Sequence, residues 1–284
     1  MTETGWRVVV LTVYPGVARF TTDALRRLGH EPVAVVGARS KAASTGMETI
    51  DEDTQLEGSA VTIASSPAAV ASVAAAFRPE FLLTWSFPWR LSPELLSMPP
   101  LGSINYHPSL LPRHRGPNPL GWTIRAGDSD FGVTWHRMAP EYDSGPILAQ
   151  ESTPVLEEDA AHEVYMRLCR LGLRMLPGVL ERVAAGDPGE PQPSEGATQA
   201  PAFGEDYASI DWTNTARFVH DQVRAWSFTP GTGSVSGPFG DIDGTRYRVL
   251  RTTLRPPEPN DRHAVRVECS DGPLWVLERT PGEP

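Results

Sequence analysis

The sequence predicts an α/β protein: a mainly parallel sheet with flanking helices, followed by a small β-rich C-terminal domain. Three observations carry this. The chain opens as a β-branched run, an amphipathic segment and a second β-branched run; such a β-α-β unit implies a parallel sheet with a right-handed crossover. Later, Asp187–Pro201 is rich in Pro, Gly and small polar residues and reads as a linker. Beyond it, short strand patterns alternate with turns. The expected organisation is a larger domain over residues 1–186, a linker over 187–202 and a small β-rich domain over 203–284.

Each element has its own signal. Trp6–Val13 is a β-branched run and reads as a buried strand. Tyr14-Pro15-Gly16 reads as a turn. Arg19–Leu28 places Phe20, Ala24, Leu25 and Leu28 at helical spacing, with Gly29 as its stop. Pro32–Gly37 is the next strand, and no G-x-G-x-x-G follows the first one, so a dinucleotide site has little support. Ala38–Glu57 is polar and irregular and reads as a loop beside the site. Val61–Ala64 is a short strand, and Ser66-Pro67 caps a helix through Ala76. Phe81–Thr84 is a buried strand that ends in the aromatic loop Trp85–Leu91, whose aromatics suit a pocket lining and a core equally. Pro93–Leu96 is a helical turn. After Gln150, a long amphipathic run extends to Ala185, and Pro177 is expected to bend or break it. His162 and Cys169 read as bystanders within it. Past the linker, Thr215–Trp226 reads as a helix. Pro230–Gly233 is a turn, and strands are expected near Arg246–Leu254, Ala264–Glu268 and Leu274–Leu277.

Composition excludes several classes. Hydrophobic residues make up 40% and charged residues 21%, ordinary values for a globular protein. No apolar run has the length of a membrane span, and the N-terminus lacks the basic and apolar regions of a secretory signal. Cys169 and Cys269 need no disulfide and lack zinc spacing, so the expected setting is cytoplasmic and metal-free. The formal net charge is −10 and Lys41 is the only lysine. Proteins that grip a polyanion by its backbone carry basic patches, so the balance argues against DNA and lowers the expectation of a tRNA substrate.

The chemistry concentrates in Ser103–Gln150. Asn105 and His107 stand two apart at a strand end, which puts both side chains on one face. An amide there can donate to an oxyanion, and an imidazole can take or give a proton. Asp143 sits in an Asp-Ser-Gly turn that presents its carboxylate, which near an imidazole would fix the tautomer and raise the pKa. A lone histidine is also often structural, and spacing alone leaves the two readings level.

The ordered set Asn105-Tyr-His-Pro-Ser-Leu-Leu-Pro112, Arg115-Gly-Pro-Asn-Pro119, Gly132-Val-Thr-Trp-His136 and Asp143-Ser-Gly-Pro-Ile-Leu-Ala-Gln150 resembles the folate-dependent formyltransferases, in particular the methionyl-tRNA formyltransferase-like branch. The resemblance covers nearly the whole chain, and its sharp motifs lie before the linker. It implies a Rossmann-like formyltransferase fold with an OB-like C-terminal barrel, 10-formyltetrahydrofolate as formyl donor, and Asn105, His107 and Asp143 as the catalytic set. It places Trp89, Arg90, Leu91, Ser109, Leu110, Leu111, Pro112 and Tyr142 beside the folate. Arg115 and Asn118 are candidates for the acceptor, with Arg115 equally able to pin its loop. His114 reads as a surface loop residue and His136 as a structural strand residue.

The expected acceptor is a small amine or hydroxylamine, such as an amino sugar nucleotide or a modified ornithine of siderophore or peptide biosynthesis. The acidic charge, the single lysine and the lack of a basic insertion in Ala38–Glu57 support it. The alternatives are initiator methionyl-tRNA or, in another class, a folate-binding regulatory protein with a dead site. A homodimer is compatible with the reading.

Overall fold

The computed structural model describes residues 5–39, 48–229, 236–258 and 261–282. The described chain packs as two compact units, each discontinuous in sequence. The first comprises Met1–Gly116, Gly132–Thr153 and Tyr165–Gln199; the second comprises Pro117–Phe131, Pro154–Val164 and Ala200–Pro284.

Strands β1 (Arg7–Leu11), β2 (Glu31–Ala38), β3 (Ala60–Ala64), β4 (Phe81–Trp85), β5 (Ser103–His107), β6 (Asp130–Arg137) and β7 (Ile147–Pro154) form one sheet in the order β3-β2-β1-β4-β5-β6-β7. Strands β1 to β5 pair in parallel, and β6 runs antiparallel to β5. The order reverses between β1 and β4, and open α/β sheets form ligand crevices beyond the strand ends at such a switch. Val8, Val9, Val10 and Leu11 of β1 and Phe81, Leu82 and Leu83 of β4 are wholly buried. This accounts for their continuous apolar runs, since a central parallel strand is covered on both faces.

Helices α1 (Pro15–Arg27), α2 (Pro67–Ala76), α3 (Pro93–Ser97) and α5 (Ala161–Ala184) accompany this sheet in sequence, with α4 (Pro119–Arg125) between β5 and β6. Helix α1 starts earlier than its apolar spacing suggests. Pro15, expected in a turn, occupies the first helical turn, where a missing N–H costs nothing. Ser66 caps α2 by accepting from the Ala69 N–H, as expected. Helix α5 is a continuous 24-residue helix with Pro177 inside it, so of the expected bend or break the break does not occur. Proline removes one helical hydrogen bond, but Leu168, Leu171, Leu176, Val179, Leu180 and Val183 on both sides of it are buried. Packing of this face outweighs the local cost.

The second unit carries α6 (Ala216–Ser227) and an antiparallel sheet in the order β10-β11-β9-β8, from β8 (Phe239–Ile242), β9 (Thr245–Thr253), β10 (Val265–Cys269) and β11 (Gly272–Pro281). Thr215 caps α6, and Val219 and Val223 pack with Val249, Leu274 and Val276 of the sheet. Strand β8 is an addition to the expected set. The turn expected at 230–233 and part of the loop expected over 38–57 fall outside the described residues.

Candidate active site

Strand β5 builds the site by alternation. Ile104 and Tyr106 face inward, where Tyr106 stacks on Trp85 with ring centroids 4.0 Å apart. Gly172 of α5 makes this approach feasible, since a Cβ there would lie 2.4 Å from the Tyr106 ring. Asn105 and His107 therefore share the opposite face. The antiparallel register pairs Asn105 with His136 and His107 with Thr134, so His136 belongs to that same face.

The Glu141–Gly145 turn brings Asp143 to these residues. Its φ of 51° lies in the left-handed region, sparsely populated for a non-glycine residue. Gly145 packs the turn against the end of β6, where a Cβ would lie 1.8 Å from the Arg137 carbonyl oxygen. Asp143 Oδ2 accepts from the Gly116 N–H at 2.9 Å and lies 3.6 Å from His107 Nδ1. Asp143 Oδ1 lies 3.4 Å from Asn105 Nδ2 and 3.6 Å from His136 Nε2.

Hydrogen-bond chemistry fixes the proton positions. His107 Nε2 is 2.8 Å from the His114 carbonyl oxygen. A carbonyl only accepts, so Nε2 carries the proton and Nδ1 faces Asp143 with a lone pair when the ring is neutral. The tautomer is thus set by a backbone carbonyl rather than by Asp143, as the spacing had suggested. His136 Nδ1 donates to the Arg137 carbonyl at 2.8 Å, which leaves Nε2 to accept from Asn105 Nδ2 at 3.2 Å. The two amide hydrogens of Asn105 point to His136 and Asp143, both at long range.

Burial lowers the pKa of His107, with the Asp143 charge partly opposing it. Burial alone would raise the Asp143 pKa. Positive charge on His107 or His136, when either ring is protonated, and the Gly116 N–H outweigh it and hold the carboxyl well below its usual range. The resting pair is therefore an ionised Asp143 beside a neutral His107.

The remaining expected positions divide. Ser109, Leu91 and Leu111 are buried, and Ser109 Oγ donates to the Arg113 carbonyl at 2.7 Å. Trp89 packs against the core around β1 and β2, as does Phe87, and Trp85 is wholly core. Arg90 donates to the Pro140 carbonyl and lies 5.9 Å from the ring of Tyr142, which is exposed. Leu110 and Pro112 are half-buried. His114, expected at the surface, is buried with φ of 58°. This follows from its carbonyl turning in to meet His107 and its N–H donating to Thr198 Oγ1. Arg115 donates to Gln192 from Nε and Nη2, so it pins its loop. Asn118 lies in the second unit, wholly buried and bonded to Thr229 Oγ1. It offers no surface for an acceptor. His136 and Gln192 were missed as site neighbours; only the β5–β6 register could have flagged the first.

Among the described residues, no group of three or more His, Cys, Asp or Glu could hold a metal ion. No helix among them is long and apolar enough to cross a membrane.

A family model described as formyl transferase matches residues 6–180. This chain belongs to the formyl transferase family. Methionyl-tRNA formyltransferase of Paracoccus denitrificans is 30% identical over 94% of this chain and 91% of that protein. The corresponding protein of Pelobacter propionicus is 35% identical over 70% of this chain, and the match spans 63% of its length. Among solved structures, Aquifex aeolicus HypX in complex with tetrahydrofolic acid shares the fold with a TM-score of 0.68, at 18% identity over 99% of this chain and 45% of that one. WlaRD, a sugar 3N-formyltransferase, gives a TM-score of 0.66 at 14% identity, over 98% of each chain. At these identities the two structures speak for the fold, a mostly parallel sheet with flanking helices and a C-terminal antiparallel β domain.

Proposed function

We propose that this member of the family is an N-formyltransferase that moves the formyl group of 10-formyltetrahydrofolate to an amine of a small-molecule acceptor, with Asn105, His107 and Asp143 as the catalytic set. The observation that carries the reading is the meeting of Asn105 and Asp143, 38 residues apart in sequence, within 3.4 Å on the face that also bears His107. The folate reading takes support from half-buried Leu110 and Pro112, which follow His107 in sequence, and from the exposed Tyr142 ring, which adjoins Asp143 in sequence and lies 5.9 Å from Arg90. Leu91, Ser109 and Leu111 have buried side chains; the Leu111 N–H and carbonyl and the Ser109 carbonyl are already bonded to Thr134 and Gln150, so among these Leu91 would offer backbone groups.

The chemistry is acyl transfer. A bond forms between the acceptor nitrogen and the formyl carbon, and the bond from that carbon to the folate nitrogen breaks. Asn105 stabilises negative charge on the formyl oxygen by turning one amide hydrogen from its long bonds to His136 or Asp143; such a donor contributes about 3–4 kcal/mol. The proton shed by the acceptor enters between His107 Nδ1 and Asp143 Oδ2, 3.6 Å apart. There the carboxylate stabilises the imidazolium, and the His114 carbonyl holds the ring in place. The proton then passes to the departing folate nitrogen. Positioning of the two substrates contributes much of the remaining acceleration.

A small acceptor is supported by the net charge of −10 and the single lysine. Methionyl-tRNA is the second reading. It is supported by the Paracoccus relative, which matches over nearly its full length, and by the arginines Arg246, Arg248 and Arg251 along β9. A transfer assay with 10-formyltetrahydrofolate decides between them, with charged initiator tRNA in one pool and amino sugar nucleotides and N-hydroxyornithine in the other. Formylation of a small amine alone supports the first reading, and formylation of tRNA alone replaces it with the second. No product in either pool, with the donor bound, favours a regulatory folate-binding protein.

A further inference from the structure

The stretch expected as a linker is a strap on the first unit. It is anchored where Asp187 accepts from Arg182 and the Gly189 N–H, and where Glu190 and Ile147 exchange two backbone hydrogen bonds at 2.8 Å. Gln192 lies between Pro191 and Pro193, and a residue before proline is confined to extended backbone. Its side chain therefore sits on a stiffened stem.

A side-chain amide offers two N–H donors and one oxygen with two lone pairs, and Gln192 uses all four. Nε2 donates to the carbonyl oxygens of Asp143 at 2.8 Å and Gly145 at 2.7 Å. Oε1 accepts from Arg115 Nε at 3.0 Å and Nη2 at 2.6 Å. One half-buried side chain thus ties the turn that presents Asp143 to the loop that supplies the His114 carbonyl and the Gly116 N–H. Thr198, farther along the strap, braces the same loop by accepting from the His114 N–H at 2.8 Å and the Arg115 N–H at 3.0 Å. No other uncharged side chain of this length can reproduce the pattern, and glutamate lacks both donors.

We propose that Gln192 is a positioning residue for formyl transfer, holding the Asp143 turn and the His114–Gly116 loop together so that Asp143 stays against His107. It rests on the reading of Asn105, His107 and Asp143 as the reacting set. The titratable groups facing His107 are Asp143, His136 and His114, and of these only Asp143 favours the imidazolium. A slack turn therefore makes His107 less basic.

The test is a ¹⁵N-histidine NMR titration of His107 beside steady-state kinetics, in the full chain and in Gln192→Met, which keeps length without polarity. A retreat of Asp143 by about 1 Å from its present 3.6 Å lowers the His107 midpoint by about 0.7 pH unit at an effective dielectric of about 20. In kinetics, kcat falls about 10- to 100-fold while the donor KM stays within about 3-fold. Gln192→Ala, which removes all four bonds without adding a charge, gives the same shift and serves if the Met variant does not fold. A lower melting temperature with the His107 midpoint and kcat unchanged would overturn the proposal and leave Gln192 as a fastener of the strap. If the wild type itself transfers no formyl group, the functional reading fails, and the titration still decides what Gln192 does.

Discussion

Asp143→Asn isolates one charge while keeping the shape of the site. Asparagine can still accept the Gly116 N–H with its oxygen and turn its amide towards His136, and of the turn's contacts it gives up the long 3.4 Å bond from Asn105. What disappears is the negative charge 3.6 Å from His107 Nδ1. Coulomb's law at an effective dielectric of about 20 sets the scale at about 4–5 kcal/mol, or roughly three decades in rate. Burial already opposes protonation of His107, and without Asp143 only the His114 carbonyl still favours the imidazolium. The expected result is a fall in kcat on the order of a thousandfold at neutral pH, with the fold intact by circular dichroism. The assay is release of tetrahydrofolate from 10-formyltetrahydrofolate, with whichever acceptor turns over. A kcat within about 3-fold of wild type would refute the reasoning, because a charge that close cannot be idle if His107 takes the proton.

Other consequences are open to direct measurement. Asn105→Ala should lower kcat about 10²- to 10³-fold with little change in melting temperature, the usual loss for one oxyanion donor. Pro177→Ala, at an exposed position inside α5, should restore a helical hydrogen bond and raise stability by about 1–3 kcal/mol in urea unfolding. Gly145→Ala forces a Cβ against the Arg137 carbonyl oxygen and should cost about 1–3 kcal/mol by the same assay, with activity falling as the Asp143 turn moves. His220 is buried beside Glu157 and Thr252, and burial pushes its pKa down to about 4. Because the folded-state value lies below the unfolded 6.5, its contribution is full above pH 6.5 and is lost as pH falls towards 4. Melting temperatures across that window should therefore decline in the wild type, and more gently in His220→Leu.

Much of the fold was legible because periodicity and caps are local. The continuous apolar runs of β1 and β4 mark strands buried on both faces, and Ser66 announces α2 through a bond to a residue three positions on. Proline at 177 does not break α5 because local propensity is a small energy beside the burial of a whole helix face. His114 misled because a polar loop residue can turn inward when its own carbonyl and N–H find partners there.

The sequence by itself determined the residue types of the site and two of its placements. Asn105 and His107 share a face because a strand alternates, and Asp143 is presented because Asp-Ser-Gly makes a tight turn. The tertiary structure decided the rest. Only the pairing of β5 with β6 puts His136 opposite Asn105, since register depends on two strands separated by a loop and a helix. Only the return of the 187–199 strap brings Gln192 to Arg115 and Asp143. A stretch of proline, glycine and polar residues carries no periodic signal, and its side chains gain a role solely from the backbone groups they meet.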